Sequence, residues 1–225
     1  INKIKEVYSP RHSKKLELGV TQIITETDGS MIPVVKISTS AKDKRKNKER
    51  VYQEARLCMS YKDGSMTPIY AATMLDVNTT GKYMRLTALE AGLGRNSNVH
   101  SVGDGATWIV NQLRNKFGDV KKVNYLIDLY HMSEYLSATS LELKDNEKKQ
   151  KMWVRKQIKL LKNNESLKVL DNIRPYVNHN LENAANDCYR YINNRPNQFN
   201  YKCALAEKLP IGSGRVEGGH RHVIQ

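Results

Sequence analysis

Three short glycine-flanked acidic stretches are where this chain could do chemistry: Asp28-Gly29, Gly103-Asp104-Gly105-Ala106 and Gly212-Ser213-Gly214-Arg215-Val216-Glu217. Each sets one carboxylate beside glycine where an element begins or ends. Carboxylates are hard anionic oxygen ligands, and two of them with a substrate phosphate can hold Mg2+ or Mn2+. Asp28, Asp104 and Glu217 therefore read as a metal-binding acidic triad, provided the fold brings them together. Taken singly they have plainer readings. Asp-Gly is a common turn, and a glutamate in the first turn of a helix complements the positive end of the helix dipole. Lys62-Asp63-Gly64-Ser65 is the control case, since its strand-like neighbours explain it completely as a hairpin turn.

The elements that must position these acids can be read from residue pattern. Residues 1–18 are polar and basic, a linker or leading arm. Residues 20–28 are rich in β-branched side chains and end on Asp28-Gly29, and 31–37 continue that composition, which predicts strand, tight turn, strand. Residues 42–50 are too charged for burial and read as a solvated loop. Residues 51–61 and 66–75 form the hairpin around Asp63. Met84, Leu86, Leu89 and Leu93 predict a helix over 83–93, ended by Gly94. Two strand–helix units follow. Residues 99–102 lead through Asp104 into a helix over 106–117, and 122–127 lead to Asp128 and a helix from near His131, which implies a parallel half to the sheet.

From residue 132 to 208 nothing reads as strand. Helical periods appear instead: Val154, Ile158 and Leu161, then Leu167, Leu170 and Ile173, then Leu181, Ala185, Cys188 and Ile192, with Pro175 and Pro196 between helices. A last helix begins near Gly214. The order is that of a ribonuclease-H-like α/β fold, a mixed sheet flanked by helices. The expected domains are a basic arm or linker (1–18), a catalytic domain (19–135 with 209–225) and an all-helical insertion (136–208) ahead of the last catalytic helix.

Composition bounds the partners. The 225 residues carry a formal net charge of +14 with a pI near 9.6, a field that attracts a polyanion, and nucleic acid leads. Membrane surface ranks well below, because an interfacial helix needs a large apolar face and aromatic residues make up only 7%. No run has the length of a membrane span and no signal segment is seen, so a soluble, cytoplasmic protein is expected. The start at Ile1 and the stop at Gln225 suggest a piece of something longer. Cys58, Cys188 and Cys203 are scattered and read as reduced structural thiols. His220-Arg221-His222 supplies one cramped pair, too little for structural zinc.

Four segments together resemble the catalytic core of a bacterial insertion-sequence transposase of the DDE type, in the Mutator-like branch with a helical insertion. They are Thr27-Asp28-Gly29-Ser30, Gly103-Asp104-Gly105-Ala106-Thr107-Trp108-Ile109, Asp128-Leu129-Tyr130-His131 and Ile211-Gly212-Ser213-Gly214-Arg215-Val216-Glu217-Gly218. The resemblance implies that Asp28, Asp104 and Glu217 hold two Mg2+ or Mn2+ ions. It makes Asp128 and His131 the Asp-x-x-His motif that supports them; read alone, Asp128 is equally a helix N-cap beside a structural histidine. It further implies cleavage of double-stranded DNA at transposon terminal repeats, strand transfer into target DNA, and action as a homodimer or larger assembly on DNA. The alternatives are a ribonuclease-H-like nuclease that cleaves without joining, and a non-catalytic DNA-binding derivative.

Further residues fit a DNA partner. Lys148, Lys149, Lys151, Arg155, Lys156, Lys159 and Lys162 line one helix, a one-signed face suited to phosphates although such faces are usually just solvated. Ser213 and Arg215 lie where a glycine-rich turn enters a helix and could contact DNA backbone. Trp153 reads as a packing residue or a platform for an extruded base, and Trp108 as core.

Overall fold

The structure, a computed structural model, describes residues 16–37, 48–178 and 182–224, with backbone only at 37, 222 and 224. Most of the basic arm, residues 42–47 of the charged loop and Leu181 lie outside the described residues. Five strands form one sheet: β1 (Gln22–Ile37), β2 (Lys48–Lys62), β3 (Ile69–Thr73), β4 (Asn98–Gly103) and β5 (Lys122–Ile127), in the order β3-β2-β1-β4-β5. The described helices are α1 (Val77–Glu90), α2 (Thr107–Lys116), α3 (Leu129–Leu143), α4 (Glu147–Lys162), α5 (Ser166–Ile173), α6 (Ala184–Asn193), α7 (Tyr201–Ala206) and α8 (Gly214–Gly219). A 3-10 turn (Arg174–Tyr176) follows α5, and a π turn (His220–Ile224) follows α8. This is the α/β, ribonuclease-H-like architecture expected: three antiparallel strands, then two strand–helix units, then helices.

The chain divides into two compact units. The first holds the residues up to Val99, Asn111–Val123 and those from Gly214 onward; the second holds His100–Val110 and Asn124–Ser213.

In the first unit β1 and β2 pair antiparallel without a break, from Ile23 opposite Lys62 to Ile37 opposite Lys48. The expected turn at Asp28-Gly29 is absent: Asp28 lies inside β1, directly opposite Leu57. The β-branched residues on both sides carry the strand straight through the dipeptide, whereas at Asp63-Gly64 the chain does turn, and Gly64 has φ +75°. Residues 48–50, read as loop, are strand for the same reason, since pairing with Val35, Lys36 and Ile37 holds them extended.

Because opposite residues share a face, Ile24, Glu26 and Asp28 lie with Tyr61, Met59 and Leu57 on one side of the sheet. Thr25 and Thr27 lie with Ser60 and Cys58 on the other. Helix α1 packs on the second face, where Ser60 Oγ and Thr87 Oγ1 are 2.8 Å apart and Cys58 Sγ is 3.6 Å from Thr80 O. Helix α8 packs on the first. Gly219 makes this possible: a Cβ there would come within 2.7 Å of Tyr70 and 3.0 Å of Leu57. Helix α1 starts at Val77, six residues before the predicted start, with Asp76 Oδ1 accepting the Thr79 N–H at 2.8 Å. Its first turn, Val-Asn-Thr-Thr-Gly, is made of weak helix formers, so propensity hides it and the cap supplies it.

In the second unit α3 packs against α4 and α6. Leu129, Met132 and Leu136 of α3, Leu161 of α4, Val169, Leu170 and Ile173 of α5, and Ala185, Cys188 and Ile192 of α6 are buried. Leu167, expected inward, is exposed, and Val169 takes its place. Burial lifts the Cys58 and Cys188 thiols to about 12, so both are inert, as structural thiols are.

His100 is also buried, with Nε2 2.8 Å from Pro210 O, and desolvation holds its pKa below the usual 6.5. A histidine with a depressed folded pKa stabilises fully above its unfolded pKa and loses that contribution as pH falls. Urea midpoints should therefore decline below about pH 6.5, and His100→Gln should flatten that part of the profile.

Candidate functional site

The first unit holds two of the three sequence-picked acids. Asp28 is half-buried on β1, with Oδ2 3.3 Å from Nε2 of His220, whose side chain is 8% exposed. Glu217 lies on α8, one helical turn before His220, and is exposed. What fixes α8 against the strands is a fourth acid that sequence reading passed over. Glu26 stands two residues before Asp28 on the same face and is fully buried. Its Oε2 accepts the Val216 N–H at 3.0 Å, and its Oε1 accepts the Tyr61 hydroxyl at 3.3 Å. A strand carboxylate on a free amide at a helix start satisfies an otherwise orphaned donor and complements the helix dipole. Arg215 lies over the Tyr61 ring at 4.4 Å, and its Nη1 donates to Ser65 O at 3.3 Å.

The second unit holds Asp104, which follows β4 directly. Its Oδ1 accepts the Ala106 N–H at 2.8 Å, closing a tight Asx turn. Three side chains from distant sequence hold the backbone of that turn. The Tyr191 hydroxyl donates to Asp104 O at 2.5 Å, Arg195 Nε donates to Gly105 O at 2.9 Å, and the Gly105 N–H donates to Tyr125 Oη at 2.8 Å. Burial raises the Tyr125 and Tyr191 hydroxyls well above the ordinary phenol value, so both stay neutral. The guanidinium of Arg195 also covers the Tyr191 ring at 4.2 Å, and Tyr135 stacks on Tyr191 at 4.3 Å.

Gly105 adopts φ +83°, and a Cβ there would meet Tyr191 Oη at 2.7 Å and Arg195 Nε at 2.9 Å. Gly105→Ala should therefore cost about 1–2 kcal/mol and free the Ala106 amide, read by thermal denaturation and amide hydrogen exchange. An unchanged exchange rate at Ala106 would show that the turn holds itself without the clamp.

Asp128 is 1% exposed and does two things. It caps α3, its Oδ1 accepting the Tyr130 N–H at 2.6 Å, and its Oδ2 accepts the Ser213 N–H at 2.9 Å together with the Ser213 hydroxyl. Ser213 is buried with both polar groups given to Asp128, so phosphate contact there would require that pair to open. His131 Nδ1 is 3.3 Å from Glu134 Oε2, and its ring stands edge-on to Tyr135 and Tyr191. It lines an open cavity of about 330 Å3 with Glu134, Tyr135, Ala138, Ala184 and Asp187.

On α4, Lys148, Lys151, Arg155, Lys159 and Lys162 recur every three or four residues and so share one stripe, opposite buried Gln157 and Leu161. Lys149 and Lys156 are exposed beside it. Lys149 and Lys151 are partly balanced by Asp145 and Glu147. Trp153 and Trp108 are half-buried.

Oxygen donors of this kind suit Mg2+ or Mn2+. Among the described residues, however, no three His, Cys, Asp or Glu side chains are gathered closely enough to hold a metal ion. Among those residues, too, no helix is long and apolar enough to cross a membrane.

No protein-family model matches the chain, and neither does any curated protein. Among solved structures it is similar to the Drosophila P element transposase strand transfer complex, at 15% identity and a TM-score of 0.34. The match covers 76% of this chain and 48% of the other, so this chain spans about half the length of that one.

Proposed function

We propose that this chain is the catalytic core of a DDE transposase that cuts double-stranded DNA at transposon ends and joins those ends to target DNA. One observation carries the reading. Asp28 lies on the sheet face that α8 covers, and buried Glu26 fastens to that face the helix bearing Glu217. An acid on the first strand and an acid on a late helix are thereby assigned to one side of one unit. Asp104 is the third acid, presented by a clamped turn after β4. Mg2+ binds through one or two carboxylates plus substrate phosphate, keeping several waters, so a finished three-ligand cluster need not precede DNA.

When bound, two such ions would polarise the scissile phosphate and lower the pKa of a bound water or 3′-hydroxyl. The chain's own residues do the rest. Asp28, Asp104 and Glu217 offer the oxygens, His220 stands beside Asp28 where it can orient that carboxylate, and Tyr191 and Arg195 keep the Asp104 backbone from shifting. The stripe on α4 supplies positive charge for the DNA backbone. Action as a homodimer or larger assembly on paired ends belongs to the same proposal.

Strand transfer with pre-cut transposon ends is the test. Joined products that require Mg2+ or Mn2+ support the transposase reading. Cleavage without joining makes the chain a ribonuclease-H-like nuclease, and binding with neither makes it a non-catalytic DNA-binding derivative.

A further inference from the structure

The far part of the β1–β2 pair has no role in the site above. From Ser30 opposite Ala55 to Ile37 opposite Lys48 the two strands run on together, whereas β3 pairs only with Arg56–Ser60 of β2. At about 3.3 Å per residue the ribbon extends roughly 23 Å. Its two faces differ. On one, Ile32, Val34 and Val51 are half-buried. On the other, Met31, Pro33 and Val35 stand opposite Glu54, Tyr52 and Arg50, and Met31, Val35 and Tyr52 are 59%, 52% and 64% exposed.

Charge tells what this face meets. Glu54 is paired with Arg56. Among the described residues neither Lys48 nor Arg50 has a carboxylate within ion-pair distance, and both are exposed. By sequence, the ten residues joining the strands add four Lys or Arg against one Asp. A second copy would bring these like charges together, on a chain already at +14. A polyanion is attracted instead. A two-stranded ribbon also has the cross-section that the major groove of duplex DNA admits, with phosphates along both walls and thymine methyls on the floor.

We propose that this ribbon is a duplex-DNA contact surface, its Met31–Tyr52–Val35 face turned into the groove and Lys48 and Arg50 set on phosphates. It deepens the function proposed above by assigning a second contact for the same DNA, and it rests on that partner but not on the catalytic acids.

The test is the salt dependence of binding to a duplex oligonucleotide, for the full chain and for the K48Q/R50Q double variant. Each phosphate contact contributes about −0.9 to the slope of log K against log salt, so the variant's slope should be shallower by about 1.8. Its affinity near 0.1 M salt should fall roughly tenfold or more. Tyr52→Thr, which keeps a strand-forming residue, should weaken binding with the slope unchanged. All three side chains are exposed, and thermal midpoints should match wild type.

A wild-type slope in the double variant would overturn the assignment. So would a change in the oligomeric state of free protein on Tyr52→Thr, which would make the face a self-association surface. Failure of the catalytic reading looks different: cleavage that survives Asp104→Asn while the ribbon variants still lose slope.

Discussion

Asp104→Asn should abolish Mg2+-dependent DNA cleavage, by at least about 1,000-fold, while DNA affinity stays within about twofold of wild type. The substitution isolates charge from shape. Asn keeps an Oδ1 able to accept the Ala106 N–H that Asp104 Oδ1 accepts at 2.8 Å, and Asn forms the same tight turn. The bonds from Tyr191 and Arg195 go to backbone carbonyls, so they survive too. What disappears is one carboxylate charge, which in the proposed mechanism would offset that of a divalent cation at the scissile phosphate; a neutral amide would not. Gel-resolved nicking of a labelled duplex measures the loss, and equilibrium binding of that duplex checks that affinity is kept. Persistent cleavage would remove Asp104 from the chemistry.

The largest stability effect is expected at Asp128. Asp128→Ala leaves three donors without an acceptor in a buried place: the Tyr130 N–H, the Ser213 N–H and the Ser213 hydroxyl. A lost N-cap costs about 1 kcal/mol, and each buried unsatisfied donor adds about 1 kcal/mol or more. Relief from burying a charge offsets part of this. The net should be about 3 kcal/mol, or roughly 6–12 °C in thermal midpoint for a chain of this size. Asp128→Asn should lose less, because its Oδ1 still caps α3 while its Nδ2 cannot accept from Ser213. Urea unfolding of both variants gives the comparison. A loss below about 1 kcal/mol for Asp128→Ala would mean that water replaces the carboxylate there.

These expectations show what sequence makes legible. The strand–helix alternation after residue 98 was readable because short runs rich in apolar and β-branched residues precede each helix, as in Tyr125-Leu126-Ile127 and in Val99 and Val102 around His100-Ser101. The α1 start was missed because a cap and tertiary packing, rather than propensity, create its first turn. Asp28-Gly29 misled because the dipeptide that closes the hairpin at Asp63 sits inside a strand here, where pairing with Leu57 and Arg56 decides.

The acids next to glycine stood out in sequence as candidates, but the residues packed around them did not. Glu26 looks like any polar residue in an alternating strand. Only its place on the Asp28 face, two residues before that acid, was a usable signal. Tyr191 and Arg195 are 87 and 90 residues from the turn they clamp, and no local pattern links them to it. Asp128 was ambiguous in sequence between N-cap and support for the site. Geometry makes it a cap and, in the same side chain, the anchor of the turn that leads into α8.

The proposed function requires Asp28, Asp104 and Glu217 each to serve as a ligand for the catalytic metal ions. Iron-directed cleavage of the polypeptide tests it most directly: Fe2+ is supplied in place of Mg2+ to the DNA-bound protein, and ascorbate with peroxide then cuts the backbone beside the ion. The account predicts three groups of cuts, near residues 28, 104 and 217, all suppressed by excess Mg2+ and all lost in Asp104→Asn. Cuts confined to one of these segments, or a pattern that Asp104→Asn leaves intact, would contradict it.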